Sequence, residues 1–295
     1  MRFSYALLIA LVGALAAAVI ISPLAAFAVA AAGFRFPFPR IFDRTVMATL
    51  LAAMILLARP LRFKSLLAAG FRDPGHNWPR VLRGFVVAAI VMVLLFACAV
   101  ILGAHGGPES SRLYRRLPYY LFQAAVVGLI EEGFFRAFLL GGIASDLGRR
   151  GALIVSSAIY SVSHLLRSPT RIYLVGFHPA AGLHNLQGSA IQLSHPATAV
   201  PALIGLFLLG LVLGEAYLLT ETVYLSIGLH AGFVVGAKTW PALLTPGVRL
   251  PWWIRGYRHF PLISGPAGWT AALIVLALLL WLYRTPDIRN QPSNP

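Results

Sequence analysis

Charge-free apolar windows recur along the chain, with arginine and lysine gathered at their ends. A membrane-spanning helix needs roughly 20 predominantly apolar residues, with 17–25 the usual range. By that measure about eight windows qualify. They are residues 3–32, 45–58, 84–104, 117–143, 151–166, 197–214, 222–237 and 261–283. The second is short, and arginines at both of its ends are expected to snorkel toward the headgroups. The pattern predicts an all-α fold, a polytopic transmembrane helix bundle of about eight spans.

The first window imitates a secretory signal peptide, since Arg2 precedes an apolar run that ends in Ala26-Phe27-Ala28. A secretory apolar core is about 7–15 residues long, and this run is much longer, so a retained first helix is expected. No internal repeat and no long polar linker divides the chain, so residues 1–295 read as a single integral membrane domain with a polar tail, 285–295, expected to be disordered.

Two other stretches stand out. Residues 172–196 lack Asp, Glu, Lys and Arg but hold His178, His184, His195, Asn185, Gln187 and Gln192. They read either as a re-entrant or interfacial loop that walls a substrate cavity, or as a plain exposed loop. Residues 238–260 combine Trp240, Trp252, Trp253 and Tyr257 with Arg249, Arg255 and Arg258, a mixture suited to an interfacial aromatic belt.

Composition narrows the class. Of 295 residues 59% are hydrophobic and 11% charged, with a mean hydropathy of +0.79, which excludes a soluble domain with a polar surface. A net charge of +15 would suggest nucleic acid as partner for a soluble protein. Here the basic residues sit at the ends of apolar segments, so the lipid bilayer is the expected partner and nucleic acid is not. The densest cluster, Arg59, Arg62, Lys64, Arg72, Arg80 and Arg83, favours a cytoplasmic loop and so puts both termini inside. Basic residues counted over all loops divide almost equally, so the rule alone does not choose the topology. The single cysteine, Cys98, offers neither a disulfide nor a thiolate cluster and reads as a small buried hydrophobe.

Candidate chemistry lies in the fourth window, where Glu131, Glu132 and Arg136 are the only charged residues between positions 117 and 140. One charge at the bilayer centre costs about 2.5–3.5 kcal/mol on the lenient insertion scale, so this cluster calls for partners and a use. On an α-helix the spacing of Glu132 and Arg136 brings carboxylate onto guanidinium. Glu131, about 100° away around the helix, is free to face a separate cavity. Adjacent carboxylates in a low dielectric repel, so one is expected to be held ionised by Arg136 while the other exchanges protons as a general base does. In the fifth window Tyr160 and His164 share a face, the aromatic fixing or shielding the imidazole. The seventh supplies His230, followed by the small residues Ala231 and Gly232. Taken singly, Glu132 with Arg136 reads as a structural ion pair and each histidine as a packing residue. Their placement on three apolar helices is the convergence expected of a site.

These residues resemble a known family. Glu131-Glu132-Gly133-Phe134-Phe135-Arg136 is similar to the EExxxR signature of the CAAX prenyl protease 2 and bacteriocin-processing (CPBP, or Abi) intramembrane proteases. Tyr160 to His164 resembles the FxxxH motif, with tyrosine in the aromatic place, and His230 matches the histidine of HxxxN or HxxxD. The likeness covers roughly residues 117–237, the motif-bearing half.

The resemblance implies an eight-helix intramembrane glutamic endopeptidase of a bacterial inner membrane that cleaves a membrane-associated protein or peptide. Glu131 would be the general base, His164 its partner and His230 an oxyanion donor, with Glu132, Arg136 and Tyr160 positioning them. No cofactor or metal is expected, because HExxH is absent and nothing beyond the two histidines asks for haem. One departure is Val234, at the place of the motif's Asn or Asp, which donates nothing. Losing one oxyanion donor costs other hydrolases about 10²–10³ in rate, so three outcomes stay open: a slower enzyme, another donor such as a backbone N–H or a residue of the 178–195 stretch, or lost activity. The competing readings are a non-catalytic immunity or interaction protein on the same scaffold and a transporter or proton pathway.

Overall fold

The computed structural model describes residues 2–104, 113–166, 172–243, 250–257 and 260–283. The polar tail, Arg249 and Arg258 lie outside the described residues.

Each of the eight apolar windows is largely helical, the eighth only from Pro266 onward. The elements in order are α1 (Phe3–Ala31), α2 (Phe38–Leu56), α3 (Phe63–Gly70), α4 (Pro74–Ile101), α5 (Leu113–Glu132), a π-helical segment (Gly133–Leu140), α6 (Gly141–Leu165), α7 (Ala181–Leu193), α8 (Pro196–Thr220), α9 (Tyr224–Leu243), the single turn α10 (Trp252–Arg255) and α11 (Pro266–Leu282). The only strands among the described residues form a minimal antiparallel pair, Gly256–Tyr257 with Phe260–Pro261. By length and composition α1, α4 and α8 are able to cross a bilayer, and α11 is a shorter apolar helix. Their outer faces carry exposed Leu8, Ile9, Val12, Ile90, Val93 and Ile204, a surface suited to hydrocarbon.

Close backbone approach builds the centre. The crossing of α4 and α9 depends on two glycines. A Cβ at Gly84 would lie 2.4 Å from the Leu225 carbonyl oxygen and one at Gly228 2.0 Å from that of Val81. Small residues at such seams are how helices associate in lipid, where no hydrophobic force separates one apolar side chain from another. Gly228→Ala is therefore expected to cost about 1–3 kcal/mol by overpacking. Gly13→Ala, with nothing within 4 Å of its Cβ position, is expected to be neutral. Thermal unfolding of the two variants in the same lipid distinguishes them, and equal midpoints would contradict the close crossing.

One face of the bundle is tied together by polar contacts among helices α1 and α6 and the loops beside them. The Ser4 hydroxyl donates to Asp146 at 2.7 Å, and Arg62 donates to the Ser145 hydroxyl at 2.8 Å. Arg72 reaches Glu221 at 2.8 Å and Arg149 reaches it at 3.5 Å. The Arg72 hydrogen bond holds the Glu221 carboxyl below its ordinary value. This contribution is full above the unfolded carboxylate range and fades as pH falls through the depressed value. Being exposed, the pair adds at most about 1 kcal/mol. The C-terminal half of α11 packs with α8 through Leu279, Val275 and Ala216.

The structure corrects several expectations. The second window is a longer helix, beginning at Phe38 rather than at 45, so Arg40 and Arg44 lie inside it. The stretch 172–196 is not an irregular loop throughout, since α7 occupies half of it and buries Ala181, Asn185 and Ser189 along one face. Gly182 of α7 abuts the backbone of Val19 in α1. Cys98 is exposed rather than buried. Trp240 is buried against Phe96, unlike Trp252 and Trp253, which are exposed as a belt requires. The fourth window is not one α-helix, because it widens at Gly133.

Candidate active site

Glu131 and Glu132 are the last residues of α5, and the chain then widens into the π-helical segment that carries Arg136. At its exit the Gly141 N–H bonds the Arg136 carbonyl, five residues back. Such widened turns are rare and recur at functional sites. The helix then continues to Gly148, whose φ of +70° breaks the ladder and, in the left-handed region, favours glycine. Beyond the break α6 ends at Leu165, one residue after His164.

Glu132 is fully buried and doubly engaged. Its Oε2 faces Arg136 Nε at 3.2 Å, and its Oε1 is 2.7 Å from His230 Nδ1. A carboxylate paired with arginine only accepts, so the Nδ1 proton belongs to His230 and its Nε2 is turned outward. That Nε2 lies 3.9 Å from Glu131 Oε2. His164 approaches the same oxygen from α6, with Nε2 at 3.5 Å. Its Nδ1 is 2.8 Å from the Tyr160 carbonyl oxygen, which again only accepts and so fixes this tautomer. Both imidazoles therefore present Nε2 toward one carboxylate oxygen.

Aromatic rings complete the walls. The Arg136 guanidinium stands 4.7 Å from the Tyr160 ring centre and 5.7 Å from that of Phe135, the range of cation–π attraction. Its Nη2 also meets the Gly210 carbonyl at 3.5 Å. The Tyr160 and His164 rings are in contact, inclined by 46° with centres 4.2 Å apart. Exposure divides the group by position. Glu131 and His164 side chains are 27% and 24% accessible, whereas Glu132, Arg136 and His230 are 0%, 2% and 4%. The first two line a mouth, and the other three form the buried backing.

Glu131, Glu132, Arg136, Tyr160, His164 and His230 are thus gathered in one place. One expectation needs correction: Glu131 does not face a cavity separate from its neighbour, since His230 bridges the two glutamates. The Glu132–His230 bond, the π-helical turn and the Gly210 carbonyl have no signal in residue spacing. Val234 sits one turn beyond His230, half-buried. His178, His184 and His195 are exposed, and the first and last bond the carbonyls of Val175 and Ile191. Among the described residues no cluster of His, Cys, Asp and Glu is arranged to hold a metal ion. A cavity of about 750 Å³ lies between the end of α1, the start of α2 and residues 173–176, and no residue of the Glu131 cluster lines it.

Comparison with known proteins bears on this segment. Residues 113–236 match the family model described as type II CAAX prenyl endopeptidase Rce1-like. The family likeness carried by the three motifs therefore holds for the segment that contains them. With the apolar helices around it, that segment belongs to an integral membrane protein. No curated protein and no solved structure matches the chain.

Proposed function

We propose that this CAAX-protease-type chain is an intramembrane endopeptidase whose nucleophile is a water activated by Glu131 and His164. The observation that carries the reading is the convergence of His164 Nε2 and His230 Nε2 on Glu131 Oε2, at 3.5 and 3.9 Å. A water placed before this group, at about 2.8 Å from its partners, donates protons to the carboxylate and to the free Nε2 of His164. As its oxygen attacks the scissile carbonyl, an O–H bond breaks, a C–O bond forms and the proton passes to Glu131. Collapse of the tetrahedral intermediate breaks the C–N bond, and that proton moves to the leaving amine.

His230 supplies the oxyanion contact. That role requires hydrogen on both ring nitrogens, Nδ1–H on the Glu132 carboxylate and Nε2–H toward the mouth, and Glu132, itself held by Arg136, fixes the ring in that orientation. Tyr160 positions His164 through its carbonyl and Arg136 through its ring. No cofactor or metal enters this scheme.

The reading extends to the whole chain as eight spans, α1, α2, α4, α5 with its π-helical continuation, α6, α8, α9 and α11, in one domain. Both termini are placed on the cytoplasmic side of a bacterial inner membrane, with the basic residues around α3. The substrate is a membrane-associated protein or peptide. Comparing amino- and carboxy-terminal peptides of membrane proteins between parent cells and cells carrying Glu131→Gln tests it. Fragments that vanish in the variant are expected, and identical peptide sets would sink the proposal.

Val234 favours a second reading, a non-catalytic interaction protein on the same scaffold. Val234→Asn is expected to raise turnover by up to about 10²-fold if an oxyanion donor is the missing part. A cellular phenotype indifferent to Glu131 and His164 substitutions would favour the scaffold reading instead.

A further inference from the structure

Two apolar hollows flank the seam between α1 and α2, away from Glu131, His164 and His230. The larger, about 750 Å³, is lined by Phe27, Phe34, Phe38 and Tyr173, with Arg35 on its rim. The second, about 650 Å³, runs past Ile21, Ala25, Ala48 and Ala52, with Arg40 and Arg44. Val29, Phe36 and Ile41 line both and form the ridge between them. Each volume lies within the roughly 300–1,000 Å³ of ordinary ligand sites, and in a bilayer such hollows are filled by hydrocarbon rather than water.

What distinguishes this surface from other lipid-facing grooves is its charge. Arg35, Arg40 and Arg44 are all exposed. Arg40 and Arg44 are one helical turn apart on α2 and so share a face. Arg40 lies 5.4 Å from the centre of the Phe36 ring on the ridge. Asp43 is the one acidic residue between positions 33 and 49, which leaves this stretch with an excess of two positive charges, three arginines less one aspartate. Arg44 lies about 6 Å further along the helix than Arg40, within the reach of a snorkelling side chain.

We infer that this is a binding site for one anionic diacyl phospholipid, with an acyl chain in each hollow and its phosphate held by Arg35, Arg40 and Arg44. A zwitterionic lipid brings its own cation beside the phosphate and competes with the guanidinium groups. An anionic headgroup does not. Thr49 closes the floor of the second hollow by donating across the seam to the Ala14 carbonyl at 2.8 Å, which keeps the two helices in register beneath the lipid.

The test is native mass spectrometry of the purified full-length protein, titrated with phosphatidylglycerol or phosphatidylcholine in mixed micelles. Wild-type protein is expected to retain phosphatidylglycerol at least about tenfold better than phosphatidylcholine. The R35Q/R40Q/R44Q variant is expected to lose roughly 10- to 100-fold of that retention, since each basic side chain near an anionic surface contributes about fivefold. Ala48→Leu, which fills one hollow without touching charge, is expected to weaken retention too. Arg255→Gln, at an exposed arginine elsewhere, leaves it unchanged. Millimolar inorganic phosphate does not displace the lipid if both chains are seated. Equal retention of the two lipids, undiminished retention by the triple variant, or displacement by phosphate alone would each overturn the assignment. Single Arg→Gln variants give the same readout should the triple variant not fold.

Discussion

Glu131→Gln is expected to lower peptidase turnover by about 10²–10⁴-fold, the span associated with loss of a positioned general base, while the protein accumulates and unfolds as the parent does. The reason lies in what the substitution keeps. Gln fills the same volume at a position that is 27% accessible, so neither a cavity nor a buried unpaired charge is introduced. It removes only the ability to take a proton from water. His164→Ala is expected to fall in the same range, and combining the two is expected to cost little more than either alone, because residues acting on one water are non-additive. The measurement is single-turnover cleavage of a membrane-anchored peptide by reconstituted protein, with thermal unfolding recorded on the same samples. Turnover within a few fold of the parent in the Gln variant, at unchanged stability, would remove Glu131 from the chemistry.

How much of this was legible beforehand follows from the kind of contact each feature makes. Glu132 and Arg136 meet within one stretch of helix, so their spacing announced them, and they do meet, at 3.2 Å. The contact holds although the backbone there is π-helical rather than α-helical. Glu131, His164 and His230 lie on three helices, and spacing reveals only that each is polar where its surroundings are apolar. Their convergence is a product of tertiary packing, which the family resemblance supplied. The Glu132–His230 bond was hidden for the same reason, and with it the fact that both glutamates serve one site.

Facing was the other blind spot. Apolar windows with hydrophobic residues on every side carry no stripe to mark the inner face, which is why exposed Cys98 was placed wrongly; buried Trp240 was assigned to the belt because α9 runs on past the end of its apolar window, to Leu243. Helix α7 escaped because a stretch without charge and rich in Gly and Pro reads as loop, while its fold depends on Gly182 seating against Val19 of α1. The α4–α9 crossing was foreshadowed only by the small residues that follow His230.

The second large effect expected is on stability, at the buried pair behind the mouth. Arg136→Met leaves the Glu132 carboxylate without its guanidinium in a site where both are at most 2% accessible. Breaking one side of a buried ion pair costs about 3–5 kcal/mol, enough to deplete the folded protein from the membrane. Glu132→Gln strands the arginine in the same way. The double variant Glu132→Gln/Arg136→Met removes both charges and retains an amide oxygen for the His230 Nδ1–H, so it is expected to recover most of the lost stability. Turnover is not expected to return. The neutral amide does not hold the His230 ring as the carboxylate at 2.7 Å does, and loss of that oxyanion donor alone costs about 10²–10³-fold. Unfolding midpoints and turnover measured across the four members of the cycle separate the two roles. A double variant as unstable as either single would mean the pair is not what holds this region. One with parental turnover would mean that the Glu132 carboxylate is not needed to position His230, and the oxyanion contact would then have to be sought elsewhere along the mouth.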